Sequence, residues 1–191
     1  MATHYGVRVI PETVSYVLDT SADITATYNG PSVDIFKTSG VGGTWNRQAY
    51  CMTPFTAPCT IEFNKLAVAT DNGLSYAMIG WNEDPTLSAS YASIDHASYP
   101  YATNLYVVYN NGSQVLASGT WNSSKKFYVV YDTDGLIRHW NGTTLLYTSA
   151  SYGTGKTVYC DSAYYSPSAI YGGFSNIRLI KKAWNGTSYT I

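Results

Sequence analysis

"KKFYVVYDTDGLIRHWNGTTLLYTS" runs from Lys125 to Ser149, and its reading decides the fold. "FYVVYD" (Phe127 to Asp132) is apolar on both sides, as expected of a strand inside a sandwich. Asp134-Gly135 turns the chain into "GLIRHW" (Gly135 to Trp140), and Asn141-Gly142 turns it into "TLLYTS" (Thr144 to Ser149). These dipeptides favour hairpins because the central turn positions need positive φ. Upstream, "NLYVVYN" (Asn104 to Asn110) runs into a third such pair, Asn111-Gly112. Three hairpin signals so close together predict an antiparallel meander in the C-terminal half.

Further strands lie on either side. In "CTIEFNK" (Cys59 to Lys65), Ile61 and Phe63 share one face and Thr60, Glu62 and Asn64 the other. That alternation predicts a strand with one wet face. "LSYAMIGW" (Leu74 to Trp81), "TVYCDS" (Thr157 to Ser162) and "GFSNIRLIKK" (Gly173 to Lys182) read as strands too, and no segment has the pattern of a long amphipathic helix. "HYGVRVI" (His4 to Ile10) is strand-like, whereas "TSGVGGTWN" (Thr38 to Asn46) is Gly-rich and reads as loop. Residues 1–27 are expected to form an N-terminal arm or added strand, and 28–191 the sandwich domain.

The chain has 191 residues, of which only 12% are charged, with 19 tyrosines, five tryptophans and a net charge of -1. A domain of this size buries roughly 70% of its unfolded surface and needs no staple. Its surface must be dressed with Ser, Thr, Asn and Tyr, and the many rings suit contact with something outside the molecule. The absence of a basic stripe argues against a nucleic-acid partner. Nothing approaches the roughly 18 apolar residues of a membrane-spanning helix. No basic segment followed by an apolar run marks a secretory signal. The expected setting is therefore intracellular synthesis, with any exit by a route such as virion release.

Cys51, Cys59 and Cys160 are an odd count that does not read as a disulfide framework. A Cys51–Cys59 pair stays open, since Pro54 and Pro58 bend the segment between them, but free, partly buried thiols are the expectation. No CxxC or His cluster offers a structural zinc site. No cofactor is expected.

"ASYGTGKT" (Ala150 to Thr157) approaches a phosphate-binding loop. Such a loop must open a helix whose N-terminus holds the phosphates, and "VYCDSAYYSPSAIYGG" after it is a poor helix. A nucleotide site is excluded on that ground, and a loop between strands is expected. "DTDG" (Asp132 to Gly135) starts like a calcium loop but lacks the later ligands. His4, His96 and His139 are scattered, and no GxSxG is present. Asp95 and His96, adjacent in sequence, would point to opposite faces of a strand. Glycoside hydrolysis needs two carboxylates flanking the bond, and Glu62 has no second acid two or four residues away; Asp95 or Asp132 could approach it only from another strand. The Asn-x-Ser/Thr sequences at Asn111, Asn122, Asn141 and Asn185 read as turns.

The order "YAMIGWNEDP", "SIDHASYPY", "NLYVVYNNGS", the opening stretch, and "VYCDSAYYSPSAIYGGFSNIRLI" resembles the concanavalin A-like lectin/glucanase sandwich, including modules on phage fibres and virion surfaces. The resemblance covers roughly 120 residues from about residue 60. It implies an all-β fold: two antiparallel sheets in a jelly-roll-like sandwich, with an N-terminal arm or extra strand. The dense acid, Asn and His cluster by which legume-type lectins hold metals is not found here.

With composition, the resemblance implies a non-catalytic, virion-surface phage protein, made in the host cytoplasm, that adheres to glycans or a host surface. The candidate carbohydrate-binding residues are Trp81, Asn82, Asp84, Tyr91, Asp95, His96, Tyr99 and Trp140. For the rings the alternative is core packing. A capsid or tail decoration protein is the competing expectation, with His4, Tyr5, Val7 and Val9 as the assembly contact. A glycanase using Glu62 is a third. The expected partners are glycans or other virion proteins, and a homo-oligomer suits that setting.

Overall fold

The computed structural model describes residues 11–18, 23–38, 44–66, 76–101, 105–122, 124–165 and 172–191. Two seven-stranded sheets contain most of them. Sheet A has the order β1 (Tyr16–Leu18), β4 (Trp45–Cys51), β13 (Tyr159–Tyr165), β6 (Ala77–Asn82), β7 (His96–Tyr101), β8 (Leu105–Asn110), β9 (Ser113–Gly119). Sheet B has the order β12 (Thr144–Thr148), β11 (Ile137–Asn141), β10 (Phe127–Tyr131), β5 (Cys59–Leu66), β14 (Gly173–Ile180), β3 (Ser32–Lys37), β2 (Ile24–Asn29). A small hairpin, β15 (Ala183–Trp184) and β16 (Tyr189–Thr190), follows. Every pairing among the described residues is antiparallel.

The inner faces of the sheets meet in one core. Sheet B contributes Ile35, Ile61, Phe63, Phe127, Val129 and Leu179; sheet A contributes Ile79, Trp81, Tyr106 and Val108. Phe127 stacks between Phe63, at 5.4 Å, and Tyr106, at 5.6 Å, tying the sheets together. Truncating such a ring to Ala costs about 3–5 kcal/mol. Trp81 Nε1 donates to the Val129 carbonyl at 3.1 Å, so the indole finds its polar partner on the opposite sheet. Cys51, Cys59 and Cys160 are free thiols, all in this core.

The all-β sandwich read from the sequence is what the chain forms, but its connections differ from a meander. β8 and β9 pair in sheet A, while β10, β11 and β12 pair in sheet B. The chain therefore changes sheets between Gly119 and Phe127. Asn111 and Gly112 take φ of 45° and 73°, the left-handed pair that this tight turn needs. At the other two turns only the glycines do, Gly135 at 77° and Gly142 at 60°. Asn141 is instead the last residue of β11, opposite Thr144. Its buried amide fastens the preceding loop, with Oδ1 accepting from Asn122 N at 2.7 Å and Nδ2 donating to the Lys126 carbonyl at 3.3 Å.

The expected wet face of β5 is covered. The Thr60 hydroxyl donates to the Lys182 carbonyl at 2.6 Å and accepts from Trp184 N at 3.2 Å, so the β15–β16 hairpin lies over it. The boundary expected at 27/28 falls inside β2, whose Ile24 belongs to the core. β1 and β2 are edge strands of opposite sheets. "HYGVRVI", with His4, Tyr5, Val7 and Val9, lies outside the described residues. "ASYGTGKT" links β12 to β13, with Gly153 and Gly155 at φ of 96° and 74°, and a strand follows it where a phosphate loop would start a helix. Lys156, half-exposed, pairs with Glu83 and lies 4.2 Å from the Tyr152 ring centre.

Candidate functional site

Strand alternation decides which side chains sheet A turns away from the core. On β13, Cys160 and Tyr164 point inward, so Tyr159, Asp161, Ala163 and Tyr165 point outward. Register carries this across the sheet: Tyr165 lies opposite Trp45, Ala97 opposite Tyr109, and Tyr99 opposite Val107. Seven aromatic rings meet there. Trp45 contacts Tyr91 at 5.0 Å, Tyr99 at 5.7 Å and Tyr165 at 5.6 Å. Tyr76 joins Tyr165 at 5.3 Å to Tyr101 at 5.5 Å, and Tyr109 closes on Tyr91 at 5.3 Å.

Between the rings lies a groove of about 350 Å³ with Met78 among its lining residues and no charged side chain. Most of the rings are half-buried; Tyr99 is buried. Burial, with neighbouring phenols adding to it, raises the Tyr99 hydroxyl far above its ordinary value. It stays a neutral O–H group that can both donate and accept.

One wall of the groove is the segment that links β6 to β7. Its short 3-10 turn, Tyr91–Ser93, is capped by Ser90, whose hydroxyl accepts from Ala92 N. A polar hub ties the segment to the sheet. Gln48 Nε2 donates to the Pro85 carbonyl at 2.7 Å and to the Asp161 carboxylate at 2.9 Å. Asn82 Nδ2 donates to the same carboxylate at 2.8 Å, and Asn82 Oδ1 accepts from Asp84 N at 3.0 Å. Asp95 closes the segment by accepting from Glu83 N at 2.9 Å and from the Tyr152 hydroxyl at 2.7 Å. Asp161 is fully buried with only neutral amide partners. Burial pushes its carboxyl up, against the pull of the Asn82 and Gln48 hydrogen bonds, to about 7.

The structure sorts the candidate residues. Tyr91 and Tyr99 belong to the groove. Trp81 is a core residue with no exposure, which corrects its expected place as a binding ring. His96 is buried on the core side, its ring edge-on to Tyr152 at 4.7 Å; burial, with the Lys156 charge adding, pushes its pKa down to about 4. Asn82 is buried in the hub, and half-buried Asp95 takes both of the donors already named on its Oδ2, outside the groove lining. Asp84 is exposed, but away from the groove lining. Trp140 lies on the far side of the molecule, beneath the β15–β16 hairpin with Tyr128, Trp184 and Tyr189, where Gly186 packs on its ring.

Sequence reasoning missed Trp45, Tyr76, Met78, Tyr101, Tyr109 and Tyr165. Alternation within "HASYPY" and "LYVVYN" puts Tyr99 with Tyr101 and identifies Tyr109 as outward once Tyr106 is inward. Trp45 was hidden by the Gly-rich run before it.

Glu62 is held on sheet B by Lys126 Nζ at 2.7 Å, Arg178 Nη1 at 3.0 Å and the Tyr189 hydroxyl at 2.7 Å. Burial alone would raise its carboxyl, but these hydrogen bonds and the two cations outweigh burial and hold it below the ordinary value. An ionised, occupied carboxylate is a poor general acid. In "DTDG", Arg138 pairs with Asp132 at 2.9 Å and with Asp134, which makes the sequence an ion-paired turn. Among the described residues no three acids, His or Cys gather as a metal-holding group, and no helix is long and apolar enough to cross a membrane.

No protein-family model and no curated protein matches the sequence. Solved structures do match in shape. The SPRY domain of human HERC1 is 16% identical, with a TM-score of 0.58, covering 85% of this chain and 97% of that one. The VIP36 exoplasmic/lumenal domain, solved bound to Ca2+ and Man3GlcNAc, is 8% identical with a TM-score of 0.53, covering 87% and 83%. The carbohydrate-binding module CBM66 from Bacillus subtilis is 8% identical with a TM-score of 0.52, covering 91% and 99%. Two facing antiparallel sheets and these matches together give the chain the concanavalin A-like sandwich fold.

Proposed function

We propose that the protein is a lectin-like module that holds a glycan in the ring-lined groove of sheet A and performs no chemistry on it. The observation that carries this is the groove itself, where rings from distant segments form one face without a charged side chain. Sugar rings present flat C–H faces that stack on aromatic faces, while phenolic hydroxyls exchange hydrogen bonds with sugar hydroxyls. A concave, mostly apolar site with a few polar tips is the usual form of a small-ligand pocket. The fold shared with the VIP36 domain, solved with Man3GlcNAc bound, and with the carbohydrate-binding module CBM66 supports the reading. The lack of carboxylates in the groove lining supports binding without hydrolysis.

A glycan array with the purified protein tests this, run beside Trp45→Ala and Tyr91→Ala. Both residues are half-buried, so the variants are expected to fold and to lose at least about tenfold in affinity. Binding unchanged in both folded variants, or silence across a broad array, overturns the proposal.

A contiguous patch of Tyr and Trp also has the composition of an interface core, which favours a second reading in which the face docks on another protein of an assembly. A virion surface is the proposed setting for either reading, on the strength of the low charge and tyrosine-rich composition. Mass spectrometry of purified virions tests that setting, and absence of the chain from them removes it.

A further inference from the structure

The outer face of sheet A carries a second cavity, outside the ring-lined groove. It measures about 230 Å³ and is lined by Tyr50, Met52, Tyr159 and Pro85, with the carboxylates of Glu83 and Asp84. Tyr50 lies directly opposite Asp161, and Tyr159 precedes Asp161 by two residues on the same strand face, so both rings rise from one patch of sheet. Both rings line the cavity and are half-buried, and neither has a ring contact among the described residues. Met52 is 57% exposed.

The charged side chains that line this cavity, Glu83 and Asp84, are both acidic. No lining side chain is cationic. Glu83 shares its charge with Lys156, whereas no cation among the described residues pairs with Asp84. Asp84 is fixed by its backbone bond to Asn82 and by the Thr86 hydroxyl, which donates to Oδ1 at 2.7 Å. Beyond Pro85, Gln48 leads to the buried Asp161, whose carboxyl is raised to about 7 by burial and by the charge of Asp95.

We propose that this cavity binds a monovalent organic cation of side-chain size, a guanidinium or an alkylated ammonium. Ring faces attract such a cation through their quadrupoles, and the Asp84 carboxylate supplies the counter-charge. An anion would meet repulsion, and a neutral sugar would leave the carboxylate unanswered. A bare metal ion would find too few ligands, and the volume suits a group of several heavy atoms.

The three methionines provide the test. Met52 lines this cavity and Met78 lines the groove, so methyl-labelled methionine reports the two sites separately by NMR. Choline and a Gly-Arg-Gly amide are titrated into the protein, each beside a neutral isostere, 3,3-dimethylbutanol or the citrulline peptide. The expected result is a saturable shift of Met52 with at least one cation, Met78 staying still, and binding at least about tenfold weaker for the neutral partner. Choline alone points to a free small molecule, and the arginine peptide alone to a side chain of a protein. Asp84→Asn, a change at an exposed position, is expected to weaken the shift by about the same factor. No saturable Met52 shift with either cation, or equal shifts with the isosteres, overturns the proposal. Glycan binding at Met78 is a separate result, so the failure of one reading does not conceal the fate of the other.

Discussion

Asp161 holds its carboxyl between two neutral amides, and the pH dependence of folding follows. An aspartate in the unfolded chain ionises near pH 4, whereas folded Asp161 ionises near 7. Between those values the fold keeps a proton that the unfolded chain has lost. Stability from this group is complete below pH 4 and drains away as pH rises to 7, at ~1.4 kcal/mol per unit and on the order of 4 kcal/mol in all. His96 works in the opposite sense. It stays neutral in the fold down to about 4 but is protonated in the unfolded chain below about 6.5, so its contribution is lost as pH falls through that window. His139, pushed well down by burial, adds to the acid limb. In thermal melts from pH 4 to 8, Asp161→Asn is expected to melt above the unaltered protein at pH 8, with the gain shrinking toward pH 4. An equal gain at every pH would indicate packing instead of titration. The same scale shows what was legible in single residues. "AMIGWN" alternates, so Trp81 shares the inward face of Ala77 and Ile79 while Met78 points out. The run is apolar on both faces, which hid the alternation. Only knowing which face meets the other sheet decides the tryptophan's place.

At the scale of elements, close approach and cover matter more than propensity. A Cβ on Gly80 would lie 1.8 Å from the His96 carbonyl oxygen, a backbone atom that cannot rotate away. Gly80→Ala must part β6 from β7 and disturb the hub beside them; a loss of about 3 kcal/mol or more in urea unfolding is expected. A variant as stable as the original would refute this account of the strand pair. The β15–β16 hairpin is the other decisive element. Trp184 stacks on Tyr128 at 4.5 Å, and its Nε1 donates to the Gly142 carbonyl at 3.1 Å. Trp184→Ala is expected to cost on the order of 2 kcal/mol and to expose Tyr128, read as a lower urea midpoint and faster tyrosine modification. Alternation in "CTIEFNK" correctly divided its two faces but called the polar one wet. Strands of two residues carry no periodicity, so nothing local announced that a hairpin would cover Thr60 and Glu62.

For the whole molecule, the sandwich was legible because each strand carries its own pattern and each turn its own glycine. The partition of strands between sheets was not, since pairing between Phe63 and Phe127 or between Tyr165 and Trp45 joins residues far apart in the chain. The ring groove is a product of that partition and has no counterpart in any single stretch. The partition also brings Cys51, Cys59 and Cys160 into one sealed interior. Burial pushes all three thiols up, so they are both hidden and poorly nucleophilic while the fold is closed. The protein thus carries an internal stopwatch for its own opening. A thiol reagent concentrated enough for labelling to outpace refolding should label it all-or-none, three sulfurs at a time, at a rate set by global unfolding and no longer by reagent concentration. Mass spectra showing unlabelled and triply labelled chains, with few between, would display the sandwich opening as one cooperative unit; a singly labelled population would mark a sheet edge that opens alone.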